Sequence, residues 1–233
     1  MKGLLVRVGI DSTAGHWNAP VDPFTRRFVF VPIPEEHHVI RKGCERLYEE
    51  VRGPLHSFGQ DLPRHLRNRR MHLDPDFTHL TYGDIHPRNL PIRKMGEGDF
   101  IVFYAGLRSI HSTDQELVYA IIGFYSICEV VRSGDVHKEQ WHENAHTRRA
   151  DSEDDLIVRA EPGRSGRLAQ CLAIGEYRAR AYRVRQDLLN AWDGLSVKDG
   201  YIQRSGRLPG FLMPEKFIKW FNDQHPVFVR RYF

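Results

Sequence analysis

The 233-residue sequence has few cysteines, and they form no recognisable pair. Cys44, Cys128 and Cys171 are widely spaced, and no two of them make a C-x-x-C motif. This spacing argues against a disulfide framework and against a cysteine-built zinc site, because both need closely grouped cysteines. The scarcity of cysteine fits a reducing compartment, and we expect a cytoplasmic protein.

The sequence also lacks a long apolar run. The longest, near residues 117–128, is too short to span a bilayer, and the opening MKGLLVRVGID is too short in apolar residues for a signal peptide. Hydrophobic residues make up 41% and charged residues 27% of the chain, as in ordinary globular proteins. We therefore expect a soluble protein with no membrane partner, folded as one domain over residues 1–233.

Neither sign of charge dominates. There are 34 Lys and Arg residues against 30 Asp and Glu residues, which gives a net charge of +4. Arginines are grouped at residues 64–70 and 178–185. Such groups could contact phosphates or could be solvated surface, so charge alone leaves a nucleic-acid partner open.

The motifs of the best-known nucleotide chemistries are missing. The sequence contains no P-loop, no dinucleotide-binding glycine fingerprint and no C-x-x-C deaminase pattern. No cofactor is indicated, and the cofactor requirement is left unknown.

The apolar pattern predicts an α+β fold with a bent mixed or antiparallel sheet and peripheral helices. Residues 116–131 are too long and too β-branched for one helix, so we predict a bent strand or two strands hinged at Gly123. Other strands are predicted at residues 3–10, 27–33, 100–104, 156–160 and 177–186. Helices are predicted at residues 35–51, at 213–224 and within 163–175, the last with Ser165 as its N-cap.

Two segments present polar side chains beside predicted strands. They are the loop at residues 11–23 and the proline-rich stretch at residues 72–89. Loops held by a rigid scaffold often carry function, although Asx turns that only stabilise the loop are an equal alternative. The side chains of interest are Asp11, Trp17, Asn18, Tyr82 and Asp84.

The stretch QWHENAHTRR contains His142-Glu143-x-x-His146, the spacing of a zinc-hydrolase helix. Its neighbours are polar, whereas a zinc-protease helix docks through apolar residues, and no third ligand is evident downstream. We treat a zinc hydrolase as a remote alternative. With extended spacing, His142, Asn144, His146 and Arg148 would instead share one face and form a polar wall.

Several segments together resemble the third family of nucleotide modification associated domains. They are LLVRVGIDSTAGHWNAPVDP, FVFVPIPE, YGDI, GDFIVFYAGL, NAHTRR, GRSGRL and GYIQRSGRLPGF, and they extend from Gly3 to about Phe221. The resemblance implies a bacterial or phage protein linked to chemically altered DNA bases, with no settled reaction. The resemblance implies that the family's polar positions correspond to Asp11, Trp17, Asn18, Tyr82, Asp84, Asp99, Tyr104, Asn144, His146, Arg148, Arg164, Ser165, Gln203 and Arg204.

A weaker similarity, of pattern only, is to small β-barrels of the PUA, ASCH and EVE kind. In these a Gly-Asp turn also precedes a strand that ends in an aromatic residue, and closure of the sheet into such a barrel is an alternative here. The similarity implies a flipped or modified base held by stacking. The candidates for that stack are Trp17, Tyr82, Tyr104 and Tyr125.

Two main functions follow. The first is recognition of a modified nucleotide or base in DNA or RNA. It would use Trp17, Asn18, Tyr82, Tyr104, Asn144, Arg148, Arg164, Ser165 and Arg204. The second is an enzyme that makes or removes a base modification by acid–base or metal-dependent chemistry, with Asp11, Asp84 and His146 as catalytic candidates.

Overall fold

The computed structural model describes residues 1–111, 117–203 and 206–231. At its centre, strands β6 (Phe100–Ser109) and β7 (Leu117–Arg132) pair in antiparallel fashion. The register shifts where Phe103 faces Gly123 and Tyr104 faces Ile121, so Ile122 is left without a partner in β6. This is a β-bulge, which bends a strand and increases its twist. The predicted long bent strand with a hinge near Gly123 is confirmed.

Because of the bend, β7 pairs with two different strands along its length. Residues 120–124 pair with β9 (Gly166–Ala173), whereas residues 127–132 pair with β8 (Leu156–Ala160). The other sheet members are β1 (Gly3–Arg7) and β2 (Pro20–Val21), which lie parallel to β6, β5 (Thr81–Asp84), which pairs with β8, and β12 (Phe228–Val229), which pairs with β9. The main path runs β1-β6-β7-β8-β5. Over the described residues the sheet is mixed and is not closed into a barrel.

Smaller elements complete the α+β fold, which is confirmed. Two ribbons are formed by β3 (Ile33–Pro34) with β4 (Met71–His72) and by β10 (Gly175–Arg178) with β11 (Ala181–Val184). The helices are α1 (Arg52–His56), α2 (Ala145–Arg148), α3 (Gln186–Trp192) and α4 (Pro214–Asp223). None of the helices in the described ranges is both long and apolar enough to cross a membrane.

The central sheet is buried on both faces. Leu4, Val6 and Phe103 pack into one core, whereas Leu5 and Val102 pack into the other. Successive side chains of a strand point to opposite faces of the sheet, so each of these strands contributes to both cores. Helices α3 and α4 cover the second face with Trp192, Phe217 and Phe221 among others, and the long segments between β2 and β6 cover the first.

Two predicted helices do not form. Residues 35–51 are mostly irregular, with a short 3-10 turn at Tyr48–Val51, and Gly43 adopts a left-handed conformation (φ 80°) that a helix does not allow. Residues 163–175 contain strand β9 instead of a helix, because they pair with β7 on one side and β12 on the other. Tertiary pairing overrode the local helical spacing.

Two predicted strands also differ. Residues 177–186 form parts of the β10–β11 ribbon, with Ala179 and Arg180 at φ 50° and 61° in its turn, as two-residue hairpin turns require. Residues 27–33 are extended and largely buried, but only Ile33 joins a strand, in β3. The helix predicted at residues 213–224 is confirmed as α4.

Candidate functional site

A cavity of about 330 Å³ opens on the first face of the sheet, where the end of β1, the β3–β4 ribbon, β5 and α2 meet. Its wall carries four carboxylates, two imidazoles and three guanidinium groups among apolar residues. The charged and titratable groups are Asp11, Glu36, Asp74, Asp84, His72, His146, Arg7, Arg88 and Arg149. A pocket of this size with convergent polar groups is the usual form of a small-molecule site.

His146 is placed by the start of α2. Asn144 is the N-cap of that helix, and its side-chain oxygen accepts the backbone N–H of His146 at 2.9 Å. The imidazole Nδ1 lies 2.7 Å from Oδ2 of Asp155. Two lone pairs would repel at this distance, so Nδ1 carries the proton and donates to the carboxylate. In this tautomer of the neutral ring, the lone pair is on Nε2.

His72, on β4, is held in the same way. Its Nδ1 lies 2.8 Å from Oε2 of Glu35, and Oε1 of Glu35 accepts a hydrogen bond from Nη2 of Arg149 at 2.9 Å. Burial lowers the pKa of His72, which favours the neutral ring. Burial alone would raise the pKa of Glu35, but His72 and Arg149 hold it well below its usual range. Glu35 is therefore an anion that accepts the Nδ1 proton of His72.

Asp74 lies beside the two imidazoles, whose ring centroids are 5.0 Å apart. Its Oδ1 accepts hydrogen bonds from the backbone N–H of Gly83 and from Nδ2 of Asn144, both at 2.9 Å. Burial raises the pKa of Asp74 to about 6, against the lowering effect of His146 and of these hydrogen bonds. The close approach needs a glycine at position 83, because a Cβ there would lie 2.2 Å from Cδ2 of His146.

Two further ion pairs lie in the wall. The hydroxyl of Tyr82 donates to Oδ2 of Asp84 at 2.7 Å, and Nη1 of Arg88 lies 3.1 Å from the same oxygen. Nη2 of Arg7 lies 2.8 Å from Oδ2 of Asp11 at the end of β1. The cavity thus holds fixed hydrogen-bonding groups of both signs.

The structure brings together all three residues that the sequence offered for catalysis. Asp11, Asp84 and His146 line this one cavity, together with Tyr82 from the nucleotide-binding set. Asn144 lies directly behind the wall, where it contacts Asp74 and positions His146.

The other candidates lie elsewhere. The side-chain amide of Asn18 donates to the carbonyl of Gly106, and Trp17 packs against the first core. The hydroxyl of Tyr104 donates to the carbonyl of Ile202 inside the second core. None of the three is among the lining residues.

The remaining candidates have structural partners or lie outside the described residues. Nη2 of Arg148 donates to Oδ2 of Asp76 at 2.6 Å in a buried ion pair. Ser165 accepts the backbone N–H of Ser126, and Arg164 is 73% exposed beside Glu161. Asp99 accepts the backbone N–H groups of Lys2 and Gly96 at the turn before β6. Arg204 falls outside the described ranges.

The His142-Glu143-x-x-His146 spacing does not build a zinc-hydrolase helix. Helix α2 begins at Ala145, so His142 is not on it. The exposed ring of His142 packs against His79, and Glu143 pairs with Arg159 at 2.6 Å. The extended row of alternating side chains is wrong for the same reason, because Asn144 caps a helix.

Sequence reasoning missed several residues of the wall, chiefly His72, Asp74, Arg7 and Arg149. A signal was present in His72-Leu73-Asp74, an imidazole and a carboxylate two positions apart in the proline-rich segment. A further property emerges only in three dimensions. His72, Asp74 and His146 each offer a ligand atom, and these atoms all lie within 4.8 Å of one another.

The fold and cavity describe an α+β protein with a buried polar site suited to a small ligand. The chain belongs to the family described as nucleotide modification associated domain 3, whose model matches residues 2–209. This confirms the resemblance found in the sequence and associates the protein with nucleotide modification. No curated protein and no solved structure shows significant similarity to the chain.

Proposed function

We propose that the protein is an enzyme that chemically alters a nucleotide or a base of nucleic acid bound in this cavity. The observation that carries the proposal is the convergence of His72, His146 and Asp74 on one cavity, with Asp11 and Asp84 in the same wall. General acid–base catalysis and metal-assisted catalysis both need titratable groups aimed at one point.

The orientation of the two imidazoles supports a catalytic role for the cavity. Each donates its Nδ1 proton to a carboxylate, Glu35 for His72 and Asp155 for His146. A carboxylate partner fixes the tautomer and the ring direction, as in catalytic histidines that act through the opposite nitrogen. Surface histidines need no such support, and its presence twice in one cavity favours an active site.

The size and charge of the cavity suit a nucleotide. Its volume of about 330 Å³ is in the range of small-ligand sites. Arg7 and Arg88 are two of the three guanidinium groups in its wall, and guanidinium groups bind phosphate well. Both already pair with carboxylates, Asp11 and Asp84, which hold them in place.

Recognition of a modified base without chemistry has less support. Such sites usually enclose a base between aromatic rings. Of the four aromatic candidates, only Tyr82 lines the cavity, and Tyr104 and Tyr125 use their hydroxyls for hydrogen bonds within the cores. Over the described part of the chain, Tyr82 is the only Phe, Tyr or Trp side chain among the residues that line the cavity.

The test is conversion of substrate by purified protein. Free nucleotides, single-stranded DNA, duplex DNA and RNA with plain and modified bases would be incubated with the protein and divalent metal salts, then digested and analysed by mass spectrometry. We expect a nucleoside of altered mass, lost by roughly 100-fold or more with His146→Ala. His142→Ala is the matched control, because His142 is exposed and outside the cavity, and it should retain activity.

The proposal is overturned in either of two ways. In the first, His146→Ala converts substrate as well as the unaltered chain does. In the second, a nucleotide or base saturates the cavity and is recovered unchanged with every metal, which would support recognition.

A further inference from the structure

Two separate segments of the chain deliver a cluster of metal-ligating groups to the cavity. His72 comes from β4, Asp74 lies two residues further along the same segment, and His146 comes from the first turn of α2. One ligand atom from each lies within 4.8 Å of the other two. We infer that His72, Asp74 and His146 bind a divalent first-row transition-metal ion.

The spacing is close to that of ligands on one ion. Two donors that are each about 2.1 Å from a metal are at most about 4.2 Å apart. Oδ2 of Asp74 and Nε2 of His146 are 3.9 Å apart, too far for a hydrogen bond and short enough to share an ion. Donors at tetrahedral angles on such an ion are about 3.4 Å apart, so a pair at the 4.8 Å limit would have to close by about 1.4 Å.

The hydrogen bonds around the cluster provide independent support. Nδ1 of each histidine lies within hydrogen-bond distance of a buried or half-buried carboxylate, Glu35 or Asp155, and a neutral ring that donates Nδ1–H to this carboxylate has its lone pair on Nε2. This carboxylate–histidine arrangement is typical of metal sites, where the outer partner fixes the ring and increases its basicity. The carboxylate of Asp74 is also fixed in orientation, because its Oδ1 accepts hydrogen bonds from Gly83 and Asn144 while its Oδ2 faces His146.

The ligand types indicate which ions fit. Two imidazoles with one carboxylate suit Zn²⁺, Fe²⁺, Mn²⁺ or Co²⁺, whereas Mg²⁺ and Ca²⁺ prefer oxygen ligands alone. Three protein ligands would leave coordination positions for water or substrate on the cavity side. The catalytic use of such an ion rests on the proposed function, but its binding does not.

Metal titration of the purified full-length chain tests the inference. After treatment with a chelator, the protein would be titrated calorimetrically with Zn²⁺, Mn²⁺, Mg²⁺ and, without oxygen, Fe²⁺. We expect one transition-metal ion per chain and no comparable binding of Mg²⁺. His72→Ala and His146→Ala should each weaken affinity by more than about 100-fold, and Asp155→Asn by about 10- to 100-fold. His142→Ala should bind as the unaltered chain does.

Because the ligands are buried, substituting one of them can abolish metal binding by preventing folding. A second measurement therefore uses the unaltered chain. Crystals grown with Zn²⁺ would be measured on both sides of the zinc absorption edge. An anomalous peak bounded by His72, Asp74 and His146 is expected. The inference is overturned by a peak only at other residues, by no binding at micromolar Zn²⁺, or by folded ligand variants that bind normally.

These results separate the two proposals. Metal bound at the cluster in a chain that converts no nucleotide or base would support the site and remove the proposed function. Full conversion by a chain that binds no Zn²⁺, Mn²⁺ or Fe²⁺ in the titration would support the enzyme and remove the metal.

Discussion

Oδ2 of Asp74 lies 3.9 Å from Nε2 of His146, on the wall of a polar cavity. Asn144 links the two residues, since its amide nitrogen donates to Asp74 and its oxygen accepts the backbone N–H of His146. The cap of α2 is therefore also a support of the cavity wall. This relationship couples local structure at α2 to the geometry of the candidate site.

Gly83→Ala tests how closely the site is packed. The added Cβ would lie 2.2 Å from Cδ2 of His146 and 2.7 Å from Oδ1 of Asn144, so His146 must move. We expect a loss of about 1–3 kcal/mol in the free energy of unfolding, measured in urea, together with weakened Zn²⁺ binding.

Gly96→Ala is the control for that change. No atom lies within 4 Å of a Cβ at Gly96, so stability and Zn²⁺ affinity should be nearly unchanged. Equal free energies of unfolding and equal Zn²⁺ affinities for Gly83→Ala and Gly96→Ala would contradict the close packing of β5 against His146.

Tyr82→Phe and Tyr104→Phe form a matched pair. Each removes a buried hydroxyl that makes a hydrogen bond of 2.7 Å, Tyr82 to Asp84 and Tyr104 to the carbonyl of Ile202. We expect each to lower the free energy of unfolding by about 1–2 kcal/mol. Only Tyr82→Phe should reduce substrate conversion, because Asp84 is in the cavity wall. Equal loss of conversion in both variants would contradict a specific role for the Tyr82–Asp84 pair.

Arg148→Met tests the buried ion pair with Asp76. Asp76 is fully buried, and removing its guanidinium partner leaves a buried charge with less compensation. We expect a loss of about 3–5 kcal/mol in the free energy of unfolding. Arg164→Met, at an exposed position, should change it by no more than about 0.5 kcal/mol. Weakened nucleotide binding at unchanged stability would instead support the nucleotide-binding role that the sequence offered for Arg148.

The cysteines should differ in reactivity. Cys171 is buried, and burial raises the pKa of its thiol to about 12, so almost no thiolate forms near neutral pH. Cys128 is exposed. With iodoacetamide on the folded protein, peptide mass spectrometry should show alkylation of Cys128 well before Cys171. Comparable rates in the folded state would mean that β9 is not buried as described.

Local patterns predicted the sheet centre and the last helix because those signals are strong by themselves. The β-branched run of β7 and the apolar stripe of α4 need no distant partner to be recognised. Strand β9 was predicted as a helix because its identity depends on pairing with β7 and β12, which are remote in sequence.

The same reasoning applies to the site. Asp11, Asp84 and His146 could be chosen because each is a titratable group beside a predicted strand or in a suggestive motif. Their meeting in one cavity, and the addition of His72 and Asp74, follow from the β3–β4 ribbon and α2 folding against β5, which no local pattern describes. The sequence also does not show that Arg148 has a buried ion-pair partner, Asp76.

We expect a nucleotide or base to bind in this cavity and to be chemically altered there. The most direct measurement is a crystal structure of the protein soaked with the nucleotides and short modified oligonucleotides used in the conversion assay. We predict electron density for a base beside His146 and Asp84, with its phosphate or sugar toward Arg7 or Arg88. Density only at other surfaces, with this cavity occupied by solvent at saturating ligand, would contradict the account.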